Sequence, residues 1–375
     1  MLHSIPETLR TPLSFLITLG VLIFVHEMGH YLAARWRGVY VETFSIGFGR
    51  AVASWVDRQG TVWKLGWLPL GGYVKMYGLE LPMEGAAADP ASADPRFAGH
   101  AFFEKSVLSR AIIVAAGPVA NFLLAIVLFA GLTFAQGKPL PEDKIGPVIG
   151  EVVADSAAAR AGLHTGDVVT MVDGAPVANF AGFSRIIQAH PNQTLQITVK
   201  RDGGEVVLAA TPDQDKASAA PRGLLGVGAG VTRTPATLGE SITAGFTRTW
   251  TLTGETLRGL WGVITGQRSS SELGGPLRIA VIAGQVAGLG IASSIGFIAI
   301  LSVNLGLLNL FPIPVLDGGH LVFFLLEAIR GRPLPRRALE YGYSAGFVVI
   351  AGLMLFSFWN DLNQHVFGWL ARLAG

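Results

Sequence analysis

The sequence predicts an α-helical multi-pass membrane protein with about four transmembrane helices, a membrane-associated β-hairpin region and an inserted soluble α/β module. Three observations predict it. Half of the 375 residues are hydrophobic and the mean hydropathy is +0.48. Only 14% are charged, against about 25% in ordinary soluble domains. The apolar residues also gather into four long runs, separated by strand-like and soluble-looking segments.

Residues 1–35 hold the first span. The run PLSFLITLGVLIFV at 12–25 continues through HEMGHYLAA, so 12–34 makes about 35 Å of helix, enough to cross a bilayer core. It is not a cleaved signal, because no small-residue cleavage site follows it and its Arg cluster lies after it. Residues 36–110 read as short hairpins against the cytoplasmic face, punctuated by Gly47, Gly49, Gly71 and Gly72, with a polar loop at 84–99. The second span is the uncharged run 111–135.

Residues 136–234 enclose a compact module facing the periplasm. VIGEVV, DVVTMVDG, TLQITVKR and EVVLAATP read as strands, and AAARAGL and NFAGFSRIIQA as helices. With the turn LHTGD and the hairpin DGG at 202–204, residues 145–232 resemble a bacterial PDZ domain, present in one copy. A segment near Ile145–Val152 and a helix at 180–189 are the expected walls of its groove. Residues 235–288 are expected to be an amphipathic or linker region on the outer face. Arg248, Glu255, Arg258 and Arg268 argue against a fifth span there.

The third span covers 289–329. Its run at 289–311 breaks at PIPVLDGGH and resumes as LVFFLLEAI. Residues 330–375 supply a short basic loop, a fourth span at 342–359 and a tail. Arg35, Arg37, Lys105, Arg110, Arg330, Arg332, Arg336 and Arg337 flank the spans on one side. By the positive-inside bias that side is the cytoplasm, and both termini are periplasmic.

The net charge of +2, with no basic block, excludes a nucleic-acid partner. The absence of cysteine confines any metal site to His, Asp and Glu. On a helix His26 and His30 share a face, so both imidazoles can bind one Zn2+. Glu27 beside them can serve as general base toward a water activated by the metal. Ionisable groups at membrane depth are costly and functional by default. A catalytic zinc needs a third protein ligand. Asp317 in VLDGGH is preferred, since Pro312, Pro314, Gly318 and Gly319 break the helix around it and such backbone at membrane depth lines a cavity. Its alternative role is to cap a helix starting at 320. His320, Glu327 and Glu80 are weaker rivals for the metal.

HEMGH, GPVAN at 117–121 and NLFPIPVLDGGH at 309–320, in that order, resemble the site-2 proteases. FSIGFG, PLGGYVKM and the PDZ-like insert narrow the resemblance to the RseP-like bacterial subgroup, over nearly the whole chain. The resemblance implies zinc held by His26, His30 and Asp317, with Glu27 as catalytic base. It implies that Asn309, with Pro312 and Pro314, helps hold the substrate backbone; the alternative for Asn309 is an interhelical hydrogen bond. Asn121 could act similarly, or GPVAN could simply permit close helix packing. It further implies an enzyme of the bacterial inner membrane that cuts transmembrane segments of pre-clipped single-span proteins, such as anti-sigma factors, and leftover signal peptides. The glycine-punctuated hairpins would offer an edge strand to an extended substrate. The best-known members carry two PDZ modules in tandem, so gating by two modules does not carry over. A peptide ligand for the single module is expected. The competing readings are a membrane-anchored scaffold with a dead site and a metal-ion transporter. The intact H-E-x-x-H argues against the first, and the absence of repeated halves against the second.

Overall fold

A computed structural model describes residues 6–78, 97–139, 144–214, 222–230, 233–267 and 274–361. Glu80, Arg268 and most of the loop expected at 84–99 lie outside the described residues. The elements begin with α1 (Glu7–Trp36), β1 (Val41–Val56), β2 (Val62–Met76) and α2 (Val107–Gln136). Then come β3 (Lys138–Pro139), β4 (Ile149–Val152), α3 (Ala157–Ala161), β5 (Val168–Val172), β6 (Ala175–Pro176) and α4 (Phe180–Ala189). Strands β7 (Leu195–Arg201), β8 (Gly204–Ala210), β9 (Asp213–Gln214), β10 (Gly223–Leu224), β11 (Val227–Ala229) and β12 (Arg233–Thr234) follow. The chain continues through α5 (Leu238–Ile264), α6 (Pro276–Gly288), α7 (Ile291–Asn309), α8 (Asp317–Arg330) and α9 (Arg336–Asp361). They form two compact units, Met1–Leu132 with Gly239–Gly375, and Thr133–Leu238.

Four helices of the described residues are long and apolar enough to cross a membrane: Thr8–Trp36, Val107–Gln136, Ile291–Asn309 and Arg336–Asp361. The third apolar run is interrupted. Helix α7 stops at Asn309, and Pro312 and Pro314 cannot continue its hydrogen-bond ladder. The helix that resumes begins at Asp317 itself, not at 320, with Leu316 at its N-cap. Asp317 therefore does not cap a helix starting at 320.

The region 235–288, expected from sequence as an amphipathic or linker region, forms two helices, and α5 packs against α2 and α7. Its inner stripe of Ser241, Gly245, Thr249 and Thr253 is buried, and Leu252 packs with Ala125, Phe129, Ala299 and Val303. Thr256 Oγ1 donates to Asn304 Oδ1 of α7 at 2.9 Å. Small and hydroxyl residues at four-residue spacing let two helix backbones approach, which an amphipathicity argument overlooks. Thr249 and Thr253 return their hydroxyl protons to the carbonyls of Gly245 and Thr249, at 2.9 Å each, so their polarity is spent within the helix. The shorter α6 packs along α1, and its amino terminus is capped from α9. Asp361 accepts from the backbone N–H groups of Gly275, Leu277 and Arg278.

Strands β1 and β2 bend and pair twice. Residues 41–46 lie between 62–65 and 72–76, and 51–56 pair with 62–66, giving a four-segment sheet whose edges are 51–56 and 72–76; 43–46 and 62–65 run in the same direction, and the other two pairings are antiparallel. Asp57 anchors this sheet to α1: Oδ1 accepts from the Gln59 and Thr61 amides, and Oδ2 from Trp63 Nε1 at 3.0 Å and Tyr31 Oη at 3.3 Å. Val52, Trp55, Val56, Leu65 and Trp67 remain exposed on the outer part.

The second unit has an antiparallel sheet in the order β6-β5-β7-β8 and a separate β4–β11 pair. Inward residues Val169, Val172, Leu195, Ile197 and Val199 alternate with outward ones and pack on Ile149, Phe183, Ile187 and Leu225. Asn179 caps α4 through the Gly182 amide at 2.8 Å. A groove of about 450 Å³ runs between α4 and residues 222–228, lined by Phe183, Ile187, Arg222 and Leu225. Glu151, in the segment near Ile145–Val152, also lines it, and β11 pairs along β4 (Val227 opposite Val152, Gly228 opposite Glu151).

Among the described residues of this unit Asp167 is the fully buried charged group, 1% exposed. Arg201 donates to both its carboxylate oxygens at 2.8 Å, and the His164 amide donates at 2.9 Å. The Arg201 hydrogen bonds hold the carboxyl below the usual range, against the opposing push of burial. A folded value below the unfolded one means that the stabilisation is complete above the unfolded pKa of about 3.9 and is lost as pH falls through the folded value. Asp167→Asn should therefore speed amide hydrogen exchange of β5 and β7 about tenfold at pH 7. The difference between the mutant and the parent protein should shrink as pH falls below about 3.9 and on through the folded value.

Candidate metal centre

The site begins on α1, where His26 and His30 are one helical turn apart and their Nε2 atoms lie 3.2 Å from each other. The other half comes from the break between α7 and α8. Residues 310–316 fold back across the start of α8 so tightly that side chains at Gly318 and Gly319 would overlap the Leu310, Phe311 and Ile313 carbonyls. Val315 takes φ +96°, a conformation that costs a β-branched residue on the order of 1–3 kcal/mol. This turn delivers Asp317, whose Oδ2 lies 3.2 Å from His26 Nε2 and 3.5 Å from His30 Nε2.

These side chains are 10–17% exposed. His30 Nδ1 lies 2.9 Å from the Ile113 carbonyl oxygen. A carbonyl only accepts, so Nδ1 carries the proton and Nε2 presents a lone pair to the cluster. Asp317 Oδ2 is buried without a hydrogen-bond partner. Two imidazole nitrogens and a carboxylate oxygen, all within 4.8 Å of one another, are a donor set that fits a divalent metal. Their separations approach the ~3.3 Å edge of a tetrahedron with bonds of ~2.0–2.1 Å. Glu27 is half-buried beside them and has no hydrogen bond or ion pair to a described residue. A side chain at Gly72, on the 72–76 edge, would come within 3.0 Å of Glu27 Cγ.

The other residues singled out by sequence fall in different places. Asn309 ends α7, half-buried, and Pro312 is exposed in the break. Pro314 is half-buried, and its carbonyl would overlap any side chain at Gly346 of α9. Asn121 departs from its expected place beside a substrate: it is fully buried, with its amide nitrogen 3.1 Å from His26 Nδ1. His320 is outside the cluster, its Nδ1 3.4 Å from Tyr343 Oη. Glu327 is engaged by Arg110 at 2.6 Å, with the Arg110 guanidinium 5.0 Å from the Phe324 ring centre. That tie between α2 and α8 escaped sequence reasoning. The signal was present, since Arg110 directly precedes one apolar run and Glu327 interrupts another.

Gly117 on α2 faces the two histidines. A Cβ there would overlap His30 Nε2 and lie 2.9 Å from His26 Cε1. Gly117→Ala should lower bound metal, measured by atomic emission on the purified protein, at least about tenfold, because reorganising the ligands disrupts the cluster.

The family model for peptidase family M50 matches residues 14–353. A protein of Rhizobium meliloti (strain 1021), provisionally named zinc metalloprotease R01501, is 40% identical over 379 residues, covering 97% of this chain and 98% of the relative. The regulator of sigma E protease of Salmonella typhi is 32% identical over 449 residues, 94% of this chain and 98% of the relative. RseP, the regulator of sigma-E protease of Salmonella typhimurium (strain 14028s / SGSC 2262), matches to the same extent. With a family match over most of its length and relatives that it covers almost end to end, the chain belongs to peptidase family M50, the site-2 protease family, and is a metalloprotease.

Proposed function

We propose that this protein is a multi-pass zinc endopeptidase that cuts transmembrane segments of single-span proteins inside the membrane. The observation that carries the reading is the convergence of His26, His30 and Asp317 beside Glu27, with the two histidines and Glu27 on α1, a helix long and apolar enough to cross a bilayer, and Asp317 at the start of α8 after the break that follows another such helix. His26 Nε2, His30 Nε2 and one Asp317 oxygen would hold the zinc. When bound, the ion supplies a Lewis acid that polarises a scissile carbonyl and acidifies a water molecule. Glu27, with no hydrogen-bond or ion-pair partner among the described residues, would take the water's proton on its carboxylate and later deliver it to the leaving amine nitrogen.

A peptide bond within a substrate helix is shielded by its own hydrogen bonds, so the substrate must unwind before attack. The 72–76 edge beside Glu27 supports pairing with an extended substrate strand. Asn309 and the segment through Pro312 and Pro314 lie next in sequence to Asp317 and hold the other side of the substrate backbone. The regulator of sigma E protease relatives favour pre-clipped, anti-sigma-factor-like substrates, with signal-peptide remnants as a second group. The enzyme lies in the bacterial inner membrane, with the site toward the cytoplasm and the termini in the periplasm. The strand and helix order of 136–234 supports a periplasmic PDZ-like module. Its groove along α4 suits an extended peptide ligand.

Glu27→Gln should abolish cleavage of a reconstituted single-span substrate, by about 10³-fold or more, while the zinc content stays equal to that of the parent protein. Undiminished cleavage by this variant would overturn the assignment of Glu27.

A further inference from the structure

Two imidazoles can both ligate through Nε2 only if each carries its proton on Nδ1. His30 meets this condition through the Ile113 carbonyl, 2.9 Å away. His26 Nδ1 faces the side-chain amide of Asn121. With the amide nitrogen turned to it at 3.1 Å, Nδ1 must accept and the His26 proton sits on Nε2, pointing at the other two ligands. That state suits a metal-free pair with Asp317 but not a metal ligand. The nitrogen and oxygen of an amide fill nearly the same volume, and a half-turn about Cβ–Cγ exchanges them. Asn121 Oδ1, buried without a partner in the first orientation, then receives the Nδ1–H. The exchange trades one unpartnered amide atom for another, so the ligand requirement decides the orientation.

Asn121 is built to hold this position. It is 0% exposed, its backbone oxygen accepts from Ser302 Oγ at 2.8 Å, and Gly306 of α7 packs over its Cβ. Complete burial also removes it from contact with a substrate. Resting on the zinc reading above, we propose that Asn121 is a positioning residue. Its side-chain oxygen accepts the Nδ1–H of His26 and fixes the tautomer whose Nε2 binds the metal. It does for His26 what the Ile113 carbonyl does for His30.

The test uses the full-length protein loaded with zinc and titrated with a chelator of known affinity. Parent protein, Asn121→Leu, Asn121→Asp and Ser302→Ala are compared. Asn121→Leu removes the acceptor at similar volume and should weaken zinc binding about 10- to 100-fold. Asn121→Asp retains an acceptor oxygen and should stay within about threefold of the parent, as carboxylates commonly support metal-binding histidines. Ser302→Ala loosens the same α2–α7 contact without touching His26 and should also stay within about threefold. With a cleavable substrate, Asn121→Leu should lower kcat and leave KM within about twofold, whereas a substrate-holding residue would raise KM. Parent-like zinc affinity in Asn121→Leu would overturn the proposal. So would equal losses in Asn121→Leu and Asn121→Asp, or equal losses in Asn121→Leu and Ser302→Ala. A parent protein that binds no zinc would instead overturn the zinc reading on which the proposal rests.

Discussion

Asp317 Oδ2 lies 3.2 Å from one imidazole nitrogen and 3.5 Å from another, buried and with no other donor among the described residues. An ionised carboxylate in such surroundings is expensive unless it is paired or coordinates a metal. Much of the first unit can be understood as what it takes to keep those three groups together. The prolines and glycines around Asp317 end one helix and start another at the required point. The positive φ of Val315 is strain that the surrounding packing must sustain. The Ile113 carbonyl and the Asn121 amide occupy the far nitrogens of the two histidines.

The helices that carry these groups associate without the help of water. In a bilayer the hydrophobic effect does not distinguish a neighbouring helix from lipid, so close packing and hydrogen bonds must suffice. The chain meets this with small residues at the crossings: Gly117 under the histidines, Gly245 and the threonines of α5, and Gly306 over Asn121. Charge is used sparingly. Arg110 and Glu327 join the start of α2 to the end of α8, and Asp361 caps α6 from α9. Each pairs a costly group locally, and the first also stabilises the helix bearing Asp317.

Helix α1 presents the two histidines of the cluster and also borders the four-segment sheet. The sheet edge at 72–76 and the carboxylate of Glu27 are thereby neighbours. A backbone edge beside a carboxylate side chain is an arrangement that an extended peptide strand could pair with. The second unit is organised by soluble-protein rules, with alternating strands around one core and a buried Asp167–Arg201 pair.

Legibility in the sequence divides along physical lines. Four apolar runs were readable because length and hydropathy are local properties, and they correspond to the four long apolar helices. His26, Glu27 and His30 were readable because a four-residue repeat defines a helix face. Asp317 stood out because an acid among prolines and glycines inside an apolar run demands an explanation. The course of α5 was not readable, since a stripe of Ser, Gly and Thr carries little hydropathy signal yet packs closely. The environment of Asn121 was hidden for the same reason: an amide reads identically whether it faces a substrate or a histidine. The sequence by itself determined which residues could bind a metal and that they belong to or adjoin runs apolar enough to cross a membrane. Only the tertiary structure decided that an oxygen 291 positions from His26 comes within 3.2 Å of it, because that distance depends on how separate helices pack and where a broken one resumes.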